Sequence, residues 1–203
     1  MQAIRDHLAT DPILRPLVNQ YELPDRSGPA EKVYPALVRS IIFQQLSVKA
    51  AGTIYSRFLA LFPSDHPAPD HLLTLSVEEL RNAGLSRQKA GYVQNVARFF
   101  LDEDLLDETW QNQDPEAIIG HLTKIKGVGE WTVQMLLLGA LRHPDVFPLR
   151  DQGIRVGMSQ LYQIPKLTTK KLDARLLAIS QAWRPYRSYA CMYIWQWKDN
   201  PPV

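Results

Sequence analysis

The sequence predicts an all-α fold, on three observations. Apolar residues recur at spacings of three and four, helix-start signals precede the periodic runs, and prolines fall between those runs instead of within them. The first run is Val33, Leu37, Val38, Ile41 and Ile42, and the second is Ala51, Ile54, Tyr55, Phe58 and Leu59. Ser76 with Glu79 three positions on reads as a capping box that opens a further helix. The third run is Tyr92, Val93, Val96, Ala97 and Phe100, and Asp114-Pro115-Glu116 then sets a cap residue before a proline at the first helical position. Phe62-Pro63, His66-Pro67-Ala68-Pro69, Pro144, Pro148, Pro165 and Pro185 mark the breaks. No run alternates as a strand would. No repeat or Ser/Gly-rich linker divides the chain, so residues 1–203 read as one unit. Within it a two-lobed helical body is expected, with about 30–125 in one lobe and about 1–29 plus 126–203 in the other. A cleft between the lobes is the natural place for a site.

Composition narrows the class. With 203 residues, 45% hydrophobic and 22% charged, the chain is not disordered. Lys+Arg 23 against Asp+Glu 21 leaves +2, so contact with nucleic acid must come from local arrangement and not from a bulk field. The single cysteine, Cys191, excludes an internal disulfide and a four-cysteine metal or iron–sulfur site. Asp6 and His7 interrupt the N-terminus where a signal peptide needs an apolar core, and no stretch reaches about 18 apolar residues. The expectation is an unanchored protein that is not secreted. His7, His66, His71, His121 and His143 show no metal-ligand spacing and are read as surface residues.

The most informative stretch runs from Leu122 to Gly139, where a helix end meets the turn Gly127-Val128-Gly129 and a new apolar helix begins near Glu130. Two glycines one residue apart let the backbone turn sharply and approach another molecule. The free N–H groups of the following helix suit a phosphate, and Lys124 and Lys126 flank that position. Gly-x-Gly alone is better matched by an ordinary helix–turn–helix corner with glycines for packing. Asp145-Val-Phe-Pro-Leu-Arg-Asp151 then reads as a loop that delivers Asp151 to a helix start, a position where a carboxylate alone is an N-cap worth about 1 kcal/mol.

Taken together, these segments resemble the helix–hairpin–helix superfamily of DNA glycosylases. Lys126-Gly-Val-Gly-Glu-Trp-Thr132, Asp145-Val-Phe-Pro148 and Asp151-Gln-Gly-Ile-Arg155 are similar to its DNA-3-methyladenine glycosylase II branch, which repairs alkylation damage. Ser40-Ile-Ile-Phe-Gln-Gln-Leu-Ser47-Val-Lys-Ala-Ala51 and Trp183-Arg-Pro-Tyr-Arg-Ser-Tyr-Ala190 with Trp195 extend the resemblance over about residues 30 to 198.

The resemblance implies a two-lobed helix–hairpin–helix glycosylase fold, with residues 1–203 as a single catalytic unit and the hairpin at about 122–139. It implies an enzyme that flips alkylated purines of the 3-methyladenine and 7-methylguanine type out of double-stranded DNA and hydrolyses the N-glycosidic bond in base excision repair. By position, Asp151 would be the catalytic carboxylate, stabilising the oxocarbenium-like state or orienting water. Trp131 and Trp195 would wall the base pocket, with Phe43, Gln134 and Gln152 as weaker candidates. Gln45 would be the wedge that fills the gap, with Leu46 as the alternative. Lys126, Gly127, Val128 and Gly129 would grip phosphate, and the carbonyls of Thr123, Ile125 and Val128 would hold a structural Na⁺ or K⁺. No cofactor is expected for catalysis.

In members that also cut the backbone, a nucleophilic lysine follows the hairpin where this chain has Trp131. An indole cannot form a Schiff base, so a monofunctional enzyme without lyase activity is expected. The lone cysteine likewise separates the chain from the iron–sulfur branch. Where paired acids are common the chain has Arg150-Asp151, which leaves Asp151 as the carboxylate and Asp145 as a loop residue; Met135 and Gln152 replace common pocket aromatics. The resemblance, with so few residues before the first helical run, leads to the expectation that the N-terminal β-rich domain of longer relatives is missing. Arg155, Arg187 and Lys49 are candidates for phosphate contact. A monomer acting in the cytoplasm at the nucleoid, or in the nucleus, is expected. The rival reading is a non-catalytic helix–hairpin–helix module that binds damaged DNA.

Overall fold

A computed structural model describes residues 1–24, 26, 30–106, 110–111 and 113–200, and among these no β-strand forms. Two units organise the chain: Ala30–Leu141, and Met1–Pro29 together with Arg142–Val203. The boundary at Leu141 differs from the one near 125 drawn from sequence, which grouped the hairpin with the C-terminal helices. The reason is packing, because the helix after the hairpin lies against the first long helix of Ala30–Leu141.

In Ala30–Leu141 the helices are α3 (Val33–Phe43), α4 (Val48–Leu59), α5 (Pro69–Thr74), α6 (Val77–Asn82), α7 (Arg87–Asp102), α8 (Pro115–Leu122) and α9 (Glu130–Gly139). Four of these starts carry a side-chain cap. Ser47, Ser86 and Asp114 accept from the backbone N–H of Ala50, Lys89 and Ala117 at 3.3, 3.2 and 3.1 Å. Ser76 and Glu79 form the full capping box the sequence predicts. A 3-10 turn, Pro63–Asp65, occupies the first proline break. The faces predicted from periodicity are the buried ones: Leu37, Val38, Ile41 and Ile42 of α3 and Val93, Val96, Ala97 and Phe100 of α7 are buried, as are Val133, Leu136 and Leu137 of α9, and α3 packs against both α7 and α9. His121 departs from the surface reading. It is half-buried, edge-on to Phe99 at 5.4 Å and beside Trp110.

The other unit contains α1 (Gln2–Leu8), α2 (Arg15–Gln20), α10 (Gln152–Leu161), α11 (Thr169–Ser180) and α12 (Arg187–Asp199). Its core joins Leu8, Leu14, Leu17 and Val18 to Ile154, Met158, Leu176, Trp183, Tyr193 and Ile194. Cys191 sits in that core, and burial pushes its thiol pKa up, away from thiolate chemistry. The chain ends are tied in by Asp11, whose carboxylate accepts from Ile13 N (2.8 Å), Leu14 N (3.3 Å), Tyr162 Oη (2.6 Å) and Trp183 Nε1 (2.9 Å). Partial burial alone would raise the pKa of Asp11, and the hydrogen bonds from Tyr162, Trp183, Ile13 and Leu14 outweigh it and lower it.

A group depressed in the folded state stabilises above its unfolded value, about 3.9, and loses that contribution as pH falls through the folded value. Asp11→Ala orphans two buried donors and is expected to cost about 2 kcal/mol in urea unfolding at pH 7. The gap from wild type should narrow as pH falls below the ordinary carboxylate value and through the lowered value of Asp11. A gap that persists there would mean that packing, and not the charge, carries the effect.

Among the described residues no helix is long and apolar enough to cross a membrane.

Candidate functional site

Asp151 caps α10, with φ −67° and ψ 123°, in the extended conformation an N-cap adopts. Its Oδ1 accepts from Ile154 N at 2.9 Å and from Trp195 Nε1 at 2.9 Å, and the residue is 9% exposed. Gly153 makes this possible. A Cβ there would lie 3.0 Å from Cδ1 and Nε1 of Trp195 and 3.1 Å from Oδ1 of Asp151, so the missing side chain admits the indole edge to the carboxylate. The result is a buried anion at the positive end of a helix, held by two donors on one oxygen and aligned by packing. Gln152, the next residue, is exposed, and Trp195 is half-buried.

The loop before Asp151 is fastened to the start of α12. Asp145 Oδ1 accepts from Arg187 Nε at 2.7 Å, Oδ2 from Arg187 Nη2 at 3.0 Å and from Arg184 Nη1 at 2.9 Å. Ser188 Oγ accepts from Val146 N at 2.9 Å and donates to His143 O at 2.6 Å. One helix therefore carries the loop clamp at its N-terminus and Trp195 two turns further on. Asp145 is structural, as expected from the sequence. Arg187 is committed to it, and Arg155 to Asp173 at 2.5 Å and to Leu149 O at 3.2 Å, which leaves neither side chain the solvated reach a phosphate contact requires. Lys49 remains exposed.

The hairpin lies in Ala30–Leu141. Val128 N donates to Ile125 O at 3.0 Å to close the turn, and Gly129 is the N-cap of α9, without a side chain to occupy the helix's first N–H groups. Gly127 has φ +105°, and a Cβ there would lie 2.2 to 2.6 Å from ring atoms of Tyr92, so α7 sets its ring directly against the turn. Asn95 of the same helix donates to Lys126 O at 3.0 Å. The side chains of Ile125 and Val128 are buried and those of Lys126 and Trp131 exposed, Trp131 to 39%. Val128 can therefore meet a ligand only through its backbone. Gln134 is 8% exposed and its amide donates to Glu130 at 2.9 Å.

Between α3 and α4 the turn Gln44–Leu46 projects Gln45, at φ +58°, and Leu46, 40% exposed. Phe43 is half-buried and edge-on to Tyr55, with ring centroids 6.0 Å apart. The predicted residues thus form two groups: Asp151, Gln152 and Trp195 on α10 and α12, and the hairpin, Trp131, Gln134, Phe43 and the Gln45 turn in Ala30–Leu141. The contacts of Tyr92 with Gly127, of Gly153 with Trp195, and of Asp145 and Val146 with Arg187 and Ser188 escape the sequence reading. Their partners lie tens of residues away, and the only local hint is the glycine beside Asp151.

Known proteins resemble the chain in sequence and in fold. The model of the HhH-GPD superfamily of base excision DNA repair proteins matches residues 38–181. DNA-3-methyladenine glycosylase 1 of Schizosaccharomyces pombe is 34% identical over 182 residues, 89% of this chain and 78% of that protein. A putative DNA-3-methyladenine glycosylase of Bacillus subtilis is 32% identical over 81% of this chain and 58% of its own length. The structure of the Schizosaccharomyces pombe 3-methyladenine DNA glycosylase Mag1 in complex with abasic DNA superposes with a TM-score of 0.85 at 31% identity, covering 98% of both chains. A DNA-3-methyladenine glycosidase structure from Bacillus halodurans gives 0.80 at 32% identity over 97% of this chain and 89% of that one. A hairpin, a capping aspartate and a family match spanning both establish that the chain belongs to the HhH-GPD superfamily of base excision DNA repair proteins.

Proposed function

We propose that this protein is a monofunctional DNA glycosylase of the 3-methyladenine glycosylase II type, which flips alkylated purines from duplex DNA and excises them by hydrolysis. The observation that carries the reading is the buried, doubly hydrogen-bonded carboxylate of Asp151 beside the Trp195 indole. As the base departs with the bonding electrons of the glycosidic bond, positive charge develops on the sugar, and a fixed carboxylate stabilises it without reorganising. Water adds to the sugar carbon and loses a proton, leaving an abasic site and the free base. N-alkylated purines carry positive charge, which makes them good leaving groups and draws them to indole faces such as those of Trp131 and Trp195. Phe43, Gln134 and Gln152 are secondary candidates for the pocket.

On the DNA side, Gln45 or Leu46 would fill the gap left by the flipped base. Lys126 and the backbone N–H groups of Gly127, Val128 and Gly129 would hold phosphate. The carbonyls of Thr123, Ile125 and Val128 are neutral hard oxygens, a donor set that fits a singly charged cation such as Na⁺ or K⁺. Bound there, the cation would supply positive charge toward the phosphate and no reaction step. A monomer is the proposed working form, since one wedge and one carboxylate serve one lesion.

By the family resemblance, Trp131 would occupy the position where a lyase carries its nucleophilic lysine, which supports the monofunctional reading. The test is release of 3-methyladenine and 7-methylguanine from methylated duplex, run in parallel with borohydride trapping. Base release without a trapped covalent complex is expected. Binding without release would leave a damage-binding module instead, and a trapped adduct would overturn the monofunctional assignment.

A further inference from the structure

We propose that Lys89 and Gln44 are positioning residues that lock the turn Gln44–Leu46 to the end of α3 and to the hairpin helix α9, so that wedge and phosphate grip form one rigid gauge; this rests on the reading of that turn as the wedge. An α-helix leaves its last carbonyls without helical partners. At the end of α3 one side chain from α7 takes two acceptors there: Lys89 Nζ donates to Ile42 O at 2.8 Å and to Gln44 O at 2.6 Å. On the other side, Gln44 Nε2 donates to Thr132 Oγ1 at 2.9 Å, and Thr132 is buried on α9, one residue from the exposed Trp131. Between these two ties stands Gln45 at φ +58°, a conformation that costs any L-residue energy and persists only where its surroundings enforce it. A wedge needs this stiffness, because a turn that yields when pushed between base pairs cannot hold them apart.

Lys89 would otherwise be read as a phosphate contact. Two of its three N–H donors are already spent on carbonyls, and burial lowers its pKa, as expected of an ammonium that has exchanged water for protein.

The discriminating substrate pair is one 7-methylguanine placed in duplex and the same lesion in single-stranded DNA, where no wedge is needed. Lys89→Met is expected to slow single-turnover excision from duplex roughly tenfold and from the single strand by less than about twofold, with Lys89→Arg restoring most of the duplex rate. Thr132→Val, which removes the Gln44 acceptor at nearly constant volume, should show the same duplex-specific loss and keeps the test open should Lys89→Met fold poorly. Equal losses on both substrates would reduce Lys89 to general stability. A drop of about one in the salt slope of duplex binding would make it a phosphate ligand. Gln45→Ala and Leu46→Ala separate the layers. If neither slows duplex excision, the wedge reading fails and the gauge with it; if either does while Lys89→Met and Thr132→Val do not, the gauge alone fails.

Discussion

Asp151→Asn is expected to lower excision of 7-methylguanine from duplex DNA by about three orders of magnitude, while unfolding free energy stays within about 0.5 kcal/mol of wild type. The two effects separate because Asp151 does two jobs with different requirements. As the N-cap of α10 it needs only an acceptor for Ile154 N, and an asparagine Oδ1 serves as well as a carboxylate oxygen. The same oxygen keeps the Trp195 indole N–H satisfied. Stabilisation of a sugar cation needs a full negative charge in a site with little water, and an amide supplies none. Affinity for duplex should be unchanged or slightly higher, since one charge that repels the phosphates has gone. Trp195→Phe completes the comparison. It keeps an aromatic face but removes one donor from Oδ1, so about a tenfold loss in rate is expected. Excision by Asp151→Asn within tenfold of wild type would remove Asp151 from the chemistry, and a parallel drop in melting temperature would return it to a purely structural role.

What sequence reveals about such a site depends on how local its causes are. The Ser76 box, the Asp114 cap and the apolar faces of α3 and α7 are written within a few residues, and the structure has them where periodicity and capping place them. Asp151 at a helix start is equally local, since a helix after Pro148 must begin on a residue able to accept from its first N–H groups. Charges are different. Arg155 and Arg187 look on paper like any solvated arginine, and only the fold brings Asp173 and Asp145 to them, in the second case across 42 positions. The hairpin's grouping follows the same rule: its glycines are visible at once, but its place beside α3 depends on side chains of α9 whose partners precede it by about ninety residues. Lys89 shows the limit most clearly, because nothing near it in sequence says that its ammonium ends on the carbonyls of Ile42 and Gln44.

The paired glycines of the hairpin carry the last contrast, because the structure gives them opposite reasons to be glycine. Gly127 is required by the protein itself: φ +105° is costly for any L-residue by about 1 to 2 kcal/mol, and a Cβ would sit 2.2 Å from the Tyr92 ring. Relieving that overlap means moving Tyr92, which also holds Gln88 through its hydroxyl, or moving the turn; overpacking of this kind costs a further 1 to 3 kcal/mol or so. Gly127→Ala is therefore expected to lose about 3 to 4 kcal/mol of stability and, through the displaced turn, roughly a hundredfold in affinity for duplex DNA. Adding Tyr92→Ala to Gly127→Ala should cost less than the two single changes summed, since the clash is shared. Gly129 has φ −98° and nothing within 4 Å of its missing Cβ. Gly129→Ala should leave melting unchanged within about 0.5 kcal/mol. If its duplex affinity nevertheless falls about tenfold, the space in front of Gly129 is filled by DNA, because among the described residues none places an atom within 4 Å of the missing Cβ. Equal destabilisation by the two substitutions would mean instead that both glycines serve the corner between α8 and α9, and the phosphate grip would have to be sought elsewhere.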